Sequence, residues 1–258
     1  MAGLAGRTAL VTGGGRGIGR AVALDLARAG AAVAVAARTS AEVEAVAAEA
    51  RGLGARAAAV VADVARAEAV AEMFRAARAA LGPIDILVCG AGMAPSAPIV
   101  KTTEEQWRAA VETNLSGCFY CLREALGPMA EQGWGRAVAV ASIAGKTGYP
   151  YIAAYAASKH GVLGLVKCAA LEVAARGVTV NAVCPGYVDT PMTDASVARI
   201  VEKTGHSPSD VRRRLEESSP QKRLFTAEEV SALVLFLCGD DARGITGQAI
   251  NLDGGTLV

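Results

Sequence analysis

Short runs of β-branched and small apolar residues alternate along the chain with longer stretches whose apolar positions recur every three or four residues. The runs Thr8–Thr12, Ala32–Ala36, Ala57–Val61, Ile86–Cys89, Ala137–Ala141, Val178–Val183 and Ala249–Leu252 are bounded by turn formers and read as buried strands. Helical spacing covers Ile18–Ala29, Ala41–Leu53, Ala67–Leu81, a long region Glu104–Glu131, Tyr155–Ala175 and Ala227–Leu237. Val22, Leu26 and Ala29 form one apolar stripe; Leu163, Val166, Ala170 and Val173 form another. Strands that alternate with helices imply βαβ units and a parallel sheet covered on both faces. Right-handed crossovers then leave an α/β fold with a doubly wound sheet of about seven strands. No linker or repeat interrupts the rhythm, so residues 1–258 are expected to form a single unit.

One stretch departs from the pattern. Pro191 to Phe225 holds no strand, is rich in charge and is interrupted by Gly205 and Pro208. A long excursion inside an α/β unit is expected to be a substrate lid, here at about 191–225. The alternative is a solvated helical hairpin.

Composition narrows the function classes. Hydrophobic residues make up 52% and charged residues 20%, which excludes a disordered chain. The balance of 26 basic and 25 acidic side chains gives no reason to expect nucleic acid. No apolar stretch reaches the roughly 18 residues of a membrane span, and the opening MAGLAGRTALVTGGG is not a secretory signal. A cytoplasmic protein with six reduced, buried cysteines is expected. Cys118 and Cys121 have a redox spacing but sit in a helical pattern, which favours packing. With His160 and His206 the only histidines, no metal site is expected.

The turn Thr12-Gly13-Gly14-Gly15-Arg16-Gly17-Ile18-Gly19 follows the first strand and opens a helix. Glycines there allow a tight turn, and the helix amino end favours a pyrophosphate. Gly13, Gly15, Arg16, Gly17, Ile18 and Gly19 are therefore candidate dinucleotide contacts. The second strand ends Val35-Ala36-Ala37-Arg38, where an acid would accept from an adenosine ribose 2′-hydroxyl. Ala37 lacks the acid, while Arg38 and Arg16 supply guanidinium groups for a 2′-phosphate. NADP(H) is expected over NAD(H). Asp63, with Val64, follows the third strand and is placed to accept from adenine.

A second constellation carries the chemistry. Tyr155 and Lys159 lie four apart on a predicted helix and share a face. An ammonium held beside the phenol is expected to lower its pKa and suit it to proton transfer. Ser142, just beyond the fifth strand, would hold a carbonyl or alkoxide oxygen. Asn114 would hold a water linking Lys159 to solvent. Ser142 is not read as a hydrolase nucleophile, because Val140 and Ala144 stand where a nucleophile elbow needs glycine.

TGGGRGIG, Asp63-Val64, Glu112-Thr113-Asn114-Leu115, Ser142, YAASK and Cys184-Pro185-Gly186 resemble the short-chain dehydrogenase/reductase family over essentially the whole chain. The resemblance implies a Rossmann-type fold, a nicotinamide cofactor and hydride exchange with a carbonyl or alcohol. It implies the roles above for Asn114, Ser142, Tyr155 and Lys159, with Lys159 and Tyr155 also touching the cofactor. Pro185, Gly186, Val188 and Thr190 would flank the nicotinamide, and a homotetramer or homodimer would be usual. Where the family commonly has Asn-Asn-Ala-Gly after the fourth strand, this chain has Cys89-Gly90-Ala91-Gly92. Gly90, Ala91 and Gly92 keep the close backbone approach to the cofactor; both amides are lost.

The segments around Asn114 and from ASKHGVLG to NAVCPGYVDTPM resemble β-ketoacyl reductases, particularly polyketide ketoreductases. The tail is similar to 3-hydroxybutyrate dehydrogenases, which grip a small carboxylate at positions that here read Ala94, Ala144 and Ile152. A small hydroxy acid is thereby disfavoured. Met93, Ala94, Ile143, Tyr149, Tyr151, Ile152, Tyr187 and Met192 are expected to form an apolar wall suited to an acyl chain or ring. The lid cations Arg199, Lys203, Arg212, Arg213, Arg214, Lys222 and Arg223 could receive the phosphates of a CoA or carrier arm. Interleaved Glu202, Asp210, Glu216 and Glu217 favour a solvated face equally. The expected activity is reduction of a small-molecule or carrier-bound ketone. The alternatives are an NAD(H)-dependent hydroxyacyl or secondary-alcohol dehydrogenase, and a non-catalytic dinucleotide sensor or scaffold.

Overall fold

The structure is a computed structural model and describes residues 3–257. Its strands are β1 (Thr8–Thr12), β2 (Ala32–Ala37), β3 (Ala57–Val61), β4 (Ile86–Cys89), β5 (Gly135–Val140), β6 (Val178–Pro185) and β7 (Ala249–Leu252). They form one parallel sheet in the order β3-β2-β1-β4-β5-β6-β7. The helices are α1 (Gly17–Arg28), α2 (Ser40–Gly52), α3 (Ala67–Leu81), α4 (Glu104–Val111), α5 (Gly117–Gln132), α6 (Ala153–Val173), α7 (Pro191–Thr204), α8 (Pro208–Glu217) and α9 (Ala227–Cys238).

Successive strand residues point to opposite faces, and the two cores divide on that period. Ala9, Val11, Val33, Val35, Ile86 and Val88 pack beneath α1, α2 and α9. Leu10, Ala34, Leu87, Ala137 and Ala139 pack beneath α3, α5 and α6. Alanine in the strands lets the helices approach closely. β1 lies between β2 and β4, so the winding reverses there and a crevice opens at the strands' carboxyl ends.

The predicted strands are all present, with β5 starting earlier, at Gly135, and β6 running on to Pro185. The long helical region is not continuous. Residues Glu112–Ser116 form a π-turn between α4 and α5. Pro128 sits inside α5 and has no N–H to give the Glu124 carbonyl. Arg78 of α3 donates to that oxygen at 2.6 Å instead. Cys168 is exposed, against the expectation of burial; the other five cysteines are buried.

The excursion after β6 forms two helices, α7 and α8, broken where Gly205 takes φ +69° and Ser207 caps α8. Its two ends meet in a single parallel bridge between Val188 and Phe225. The Phe225 N–H donates to Tyr187 and the Asp189 N–H to Phe225. Among the described residues no helix is long and apolar enough to cross a membrane.

Candidate active site

A cavity of about 510 Å³ runs along the carboxyl ends of the strands and under α7. Such a volume suits a cofactor together with a small ligand. One end is floored by the glycine turn. Gly13 takes φ +66°, and a Cβ there would stand 2.7 Å from the Gly90 carbonyl. A Cβ on Gly19 would strike the Gly13 carbonyl. These two glycines are therefore needed for the turn's own packing. Gly15, Gly17 and Ile18 line the cavity, where the amino end of α1 favours an anion. The turn thus fits the pyrophosphate of a dinucleotide.

At the adenosine end, Arg38 is exposed, lines the cavity and has no ion-pair partner among the described residues. Arg16 is shared: its guanidinium lies 3.7 Å from Glu42. Glu42, absent from the sequence reading, comes from the first turn of α2, lines the cavity and leans over Gly15. A carboxylate thus reaches this end of the cavity from another element than the one that ends at Ala37. The Asp63 carboxylate accepts from the Ala65 N–H at 3.0 Å and also lines the cavity. Val64, Gly90, Ala91, Gly92, Pro185, Gly186, Val188 and Thr190 also line the cavity.

Ser142, Tyr155 and Lys159 line the middle of the cavity. Ser142 follows β5; its Oγ accepts from the Ala144 N–H at 3.1 Å, which leaves its own hydrogen to donate. Tyr155 and Lys159 lie one turn apart on α6. The buried Lys159 Nζ donates to the Val140 carbonyl at 2.7 Å and stands 5.7 Å from the Tyr155 ring centre. The expectation of a phenol acidified by Lys159 is not met here. Burial pushes Tyr155 above its ordinary value, against the lowering effect of the Ser142 hydroxyl. Burial also brings Lys159 down to about 8.

Asn114 lies in the π-turn behind the cavity, with both amide hydrogens donated. Its Oδ1 accepts from the Met93 N–H at 2.8 Å, and its Nδ2 donates to the Met93 carbonyl and to Ser158 Oγ, both at 2.9 Å. Ser158 Oγ donates in turn to the Tyr155 carbonyl at 2.7 Å. The amide therefore clamps the loop after β4 to α6, while its Oδ1 keeps a second lone pair. A separate cavity of about 10 Å³, near the size of one water, lies between Asn114, Lys159, Cys89 and Cys118. Thr12, also missed, orders the altered Cys89-Gly90 turn: its hydroxyl accepts from the N–H groups of Gly90 and Ala91.

Of the expected apolar wall, Ala94, Ile143, Tyr149, Tyr151, Ile152, Tyr187 and Met192 line the far half, with Ala144. Met93 does not; its sulfur turns to the Thr113 hydroxyl.

The family profile described as Enoyl-(Acyl carrier protein) reductase matches residues 13–256. A D-beta-hydroxybutyrate dehydrogenase of Rhizobium meliloti (strain 1021) is 38% identical over 254 residues, covering 96% of this chain and 98% of its own length. The 3-oxoacyl-acyl-carrier-protein reductase FabG of Staphylococcus epidermidis is 38% identical over 250 residues, with 96% and 98% covered. Among solved structures, a single-substitution variant of the actinorhodin polyketide ketoreductase with NADPH superposes with a TM-score of 0.93 at 36% identity, with 97% of each chain covered. With this likeness running from the glycine turn to the last strand, the chain belongs to the short-chain dehydrogenase/reductase family, as an oxidoreductase acting on CH–OH and C=O groups.

Proposed function

We propose that the protein is an NADP(H)-dependent ketone reductase of the β-ketoacyl type, acting on a small-molecule or carrier-bound substrate. The observation that carries this reading is the meeting of Ser142, Tyr155 and Lys159 in one cavity with the glycine turn and Pro185-Gly186. The bound dinucleotide would supply or accept hydride at a carbonyl carbon. The roles proposed for this chain's residues follow from their hydrogen bonds. Ser142 donates to the substrate oxygen. Tyr155, whose raised pKa keeps it protonated at neutral pH, gives that oxygen its proton. Lys159 and the one-water space beside Asn114 return the proton, while Asn114 and Ser158 hold Tyr155's helix in place. Arg38 and Arg16 would hold a 2′-phosphate, and the named glycines the pyrophosphate.

We read residues 1–258 as a single catalytic unit with the 191–225 segment as its lid. Ala94, Ala144 and Ile152 leave the catalytic end apolar, which favours an acyl chain over a small hydroxy acid. The exposed apolar residues Trp107 on α4, Phe119 on α5 and Leu171 on α6 support a homotetramer or homodimer. Free thiols fit a cytoplasmic setting. In the deciding experiment, Tyr155→Phe is expected to abolish NADPH oxidation by β-keto thioesters while leaving NADPH affinity within about twofold, a change below 1 kcal/mol. Undiminished turnover would refute the assignment.

A further inference from the structure

The 191–225 segment carries seven basic side chains, five of them on α7 and α8, and their partners divide them. Arg212 meets Asp189 at 2.6 Å, with Asp194 and Glu216 nearby. Arg213 meets Asp210 and Glu217, and Arg223 holds Glu229 with two bonds. Lys222 donates to the Glu217 carbonyl. Arg199 and Lys203 differ: neither has a carboxylate within ion-pair distance among the described residues, and both line the substrate half of the cavity. They lie one turn apart on α7, on the stripe that also presents Met192 and Ser196 to the cavity.

Both cations are held only by uncharged acceptors. An Arg199 Nη donates to the Ala94 carbonyl at 3.2 Å and to Ser196 Oγ at 2.9 Å, and Lys203 Nζ donates to the Ser96 carbonyl at 3.2 Å. Arg199 Nε is buried with no acceptor at all. An unmatched guanidinium N–H disfavours this placement, and an oxyanion is a stronger acceptor than a carbonyl. The cavity's two carboxylates, Glu42 and Asp63, both belong to the dinucleotide half, so no lining acid opposes an anion beneath α7.

We propose that Arg199 and Lys203 form an oxyanion subsite that receives a carboxylate or phosphate borne by the substrate away from its ketone. This deepens the reductase reading and rests on it for the identity of the substrate. A small turn of the Arg199 side chain presents Nε and one Nη together to the oxyanion, in the fork geometry that guanidinium groups favour. Ser196 supplies a neighbouring hydroxyl.

The test is calorimetric binding to the NADP⁺-loaded protein, where no reduction can occur. The probes are acetoacetyl-CoA, uncharged acetoacetyl-N-acetylcysteamine and 5-oxohexanoate, whose carboxylate stands three methylenes from its ketone. At least one anion is expected to bind about tenfold more tightly than the uncharged thioester, as one charge-assisted contact would give. Arg199→Met and Lys203→Met should each reduce that excess and leave the uncharged thioester unchanged, while Arg199→Lys retains part of it. Lys203 is exposed, so its variant stands even if Arg199→Met fails to fold. An excess for the CoA thioester alone assigns the subsite to a carrier-arm phosphate; an excess for 5-oxohexanoate alone assigns it to a free acid. Equal binding of all three probes, or equal losses for charged and uncharged probes, would overturn the subsite and leave the two cations as a latch between α7 and the loop after β4. If the anion excess appears but NADPH reduces none of these ketones, the reductase reading fails and the subsite stands.

Discussion

Two guanidinium groups and one carboxylate line the end of the cavity assigned above to the adenosine ribose, and in the proposed reading their balance sets cofactor choice. Arg38 is unopposed, whereas Arg16 faces Glu42 at 3.7 Å. Arg38→Ala is expected to weaken NADPH by about tenfold and NADH little, because only the former carries the phosphate. Glu42→Gln should do the opposite, tightening NADPH by about threefold, the scale of an exposed ion pair. Fluorescence titration of both cofactors checks each outcome. Arg38 was legible because it ends a strand. Glu42 was not: it lies four residues farther on, and only the packing of α2 over Gly15 brings it back. The behaviour of Tyr155 was misjudged for a related reason. Its spacing to Lys159 can be read from the chain, but the depth of its burial cannot.

At the level of elements, strands and helices could be read because their apolar periods are strong; interruptions within a helix could not. The π-turn at Asn114 leaves the helical pattern nearly unchanged, and Pro128 hides inside α5 because Arg78 supplies the donor it lacks. Arg78→Met should leave the Glu124 carbonyl unmatched and cost about 1–2 kcal/mol, seen as a lowered Tm. Adding Pro128→Ala restores the helical N–H and should recover much of the loss, a coupling that two independent sites would not show. A second element-level expectation concerns the start of α9, where Glu229 closes a capping box with Thr226. The Arg223 guanidinium beside it holds its carboxyl down, to about 2. The folded value lies below the unfolded one, so this contribution is complete above the ordinary carboxylate range and is lost as pH falls through about 2. Arg223→Leu should move the Glu229 titration upward in NMR and lower stability on the neutral plateau, with little change once pH has fallen through about 2, where the carboxyl is protonated in either protein.

Across the whole molecule, the two ends of the sheet carry different burdens. The carboxyl ends hold the cavity. At the amino ends, Trp134 is sandwiched between Arg7 at 3.6 Å and the buried Arg136 at 4.4 Å, and both Trp134 and Arg136 donate to Asp240. The winding of the sheet and the clustering of the glycine turn with Ser142, Tyr155 and Lys159 followed from the order of elements, since the order fixes which strand ends are neighbours. Which lid cations are neutralised did not follow, because alternating charges in a sequence do not say who meets whom. Light scattering is expected to give a mass of two or four chains of 26.1 kDa each. Replacing Leu171, 83% exposed on α6, by Glu should shift that mass downward, and a 26.1 kDa species in the unaltered protein would refute the assembly.

The bridge between Val188 and Phe225 has an evolutionary corollary. Because the two ends of the excursion pair with each other at one point beyond the strands, its closure does not depend on what lies between, and the stretch can serve as a cassette whose length and composition drift. Closing such a loop grows costlier only slowly with its length. New specificities can therefore arise by grafting a foreign segment between those two residues, while the proposed proton-handling residues beneath are inherited intact.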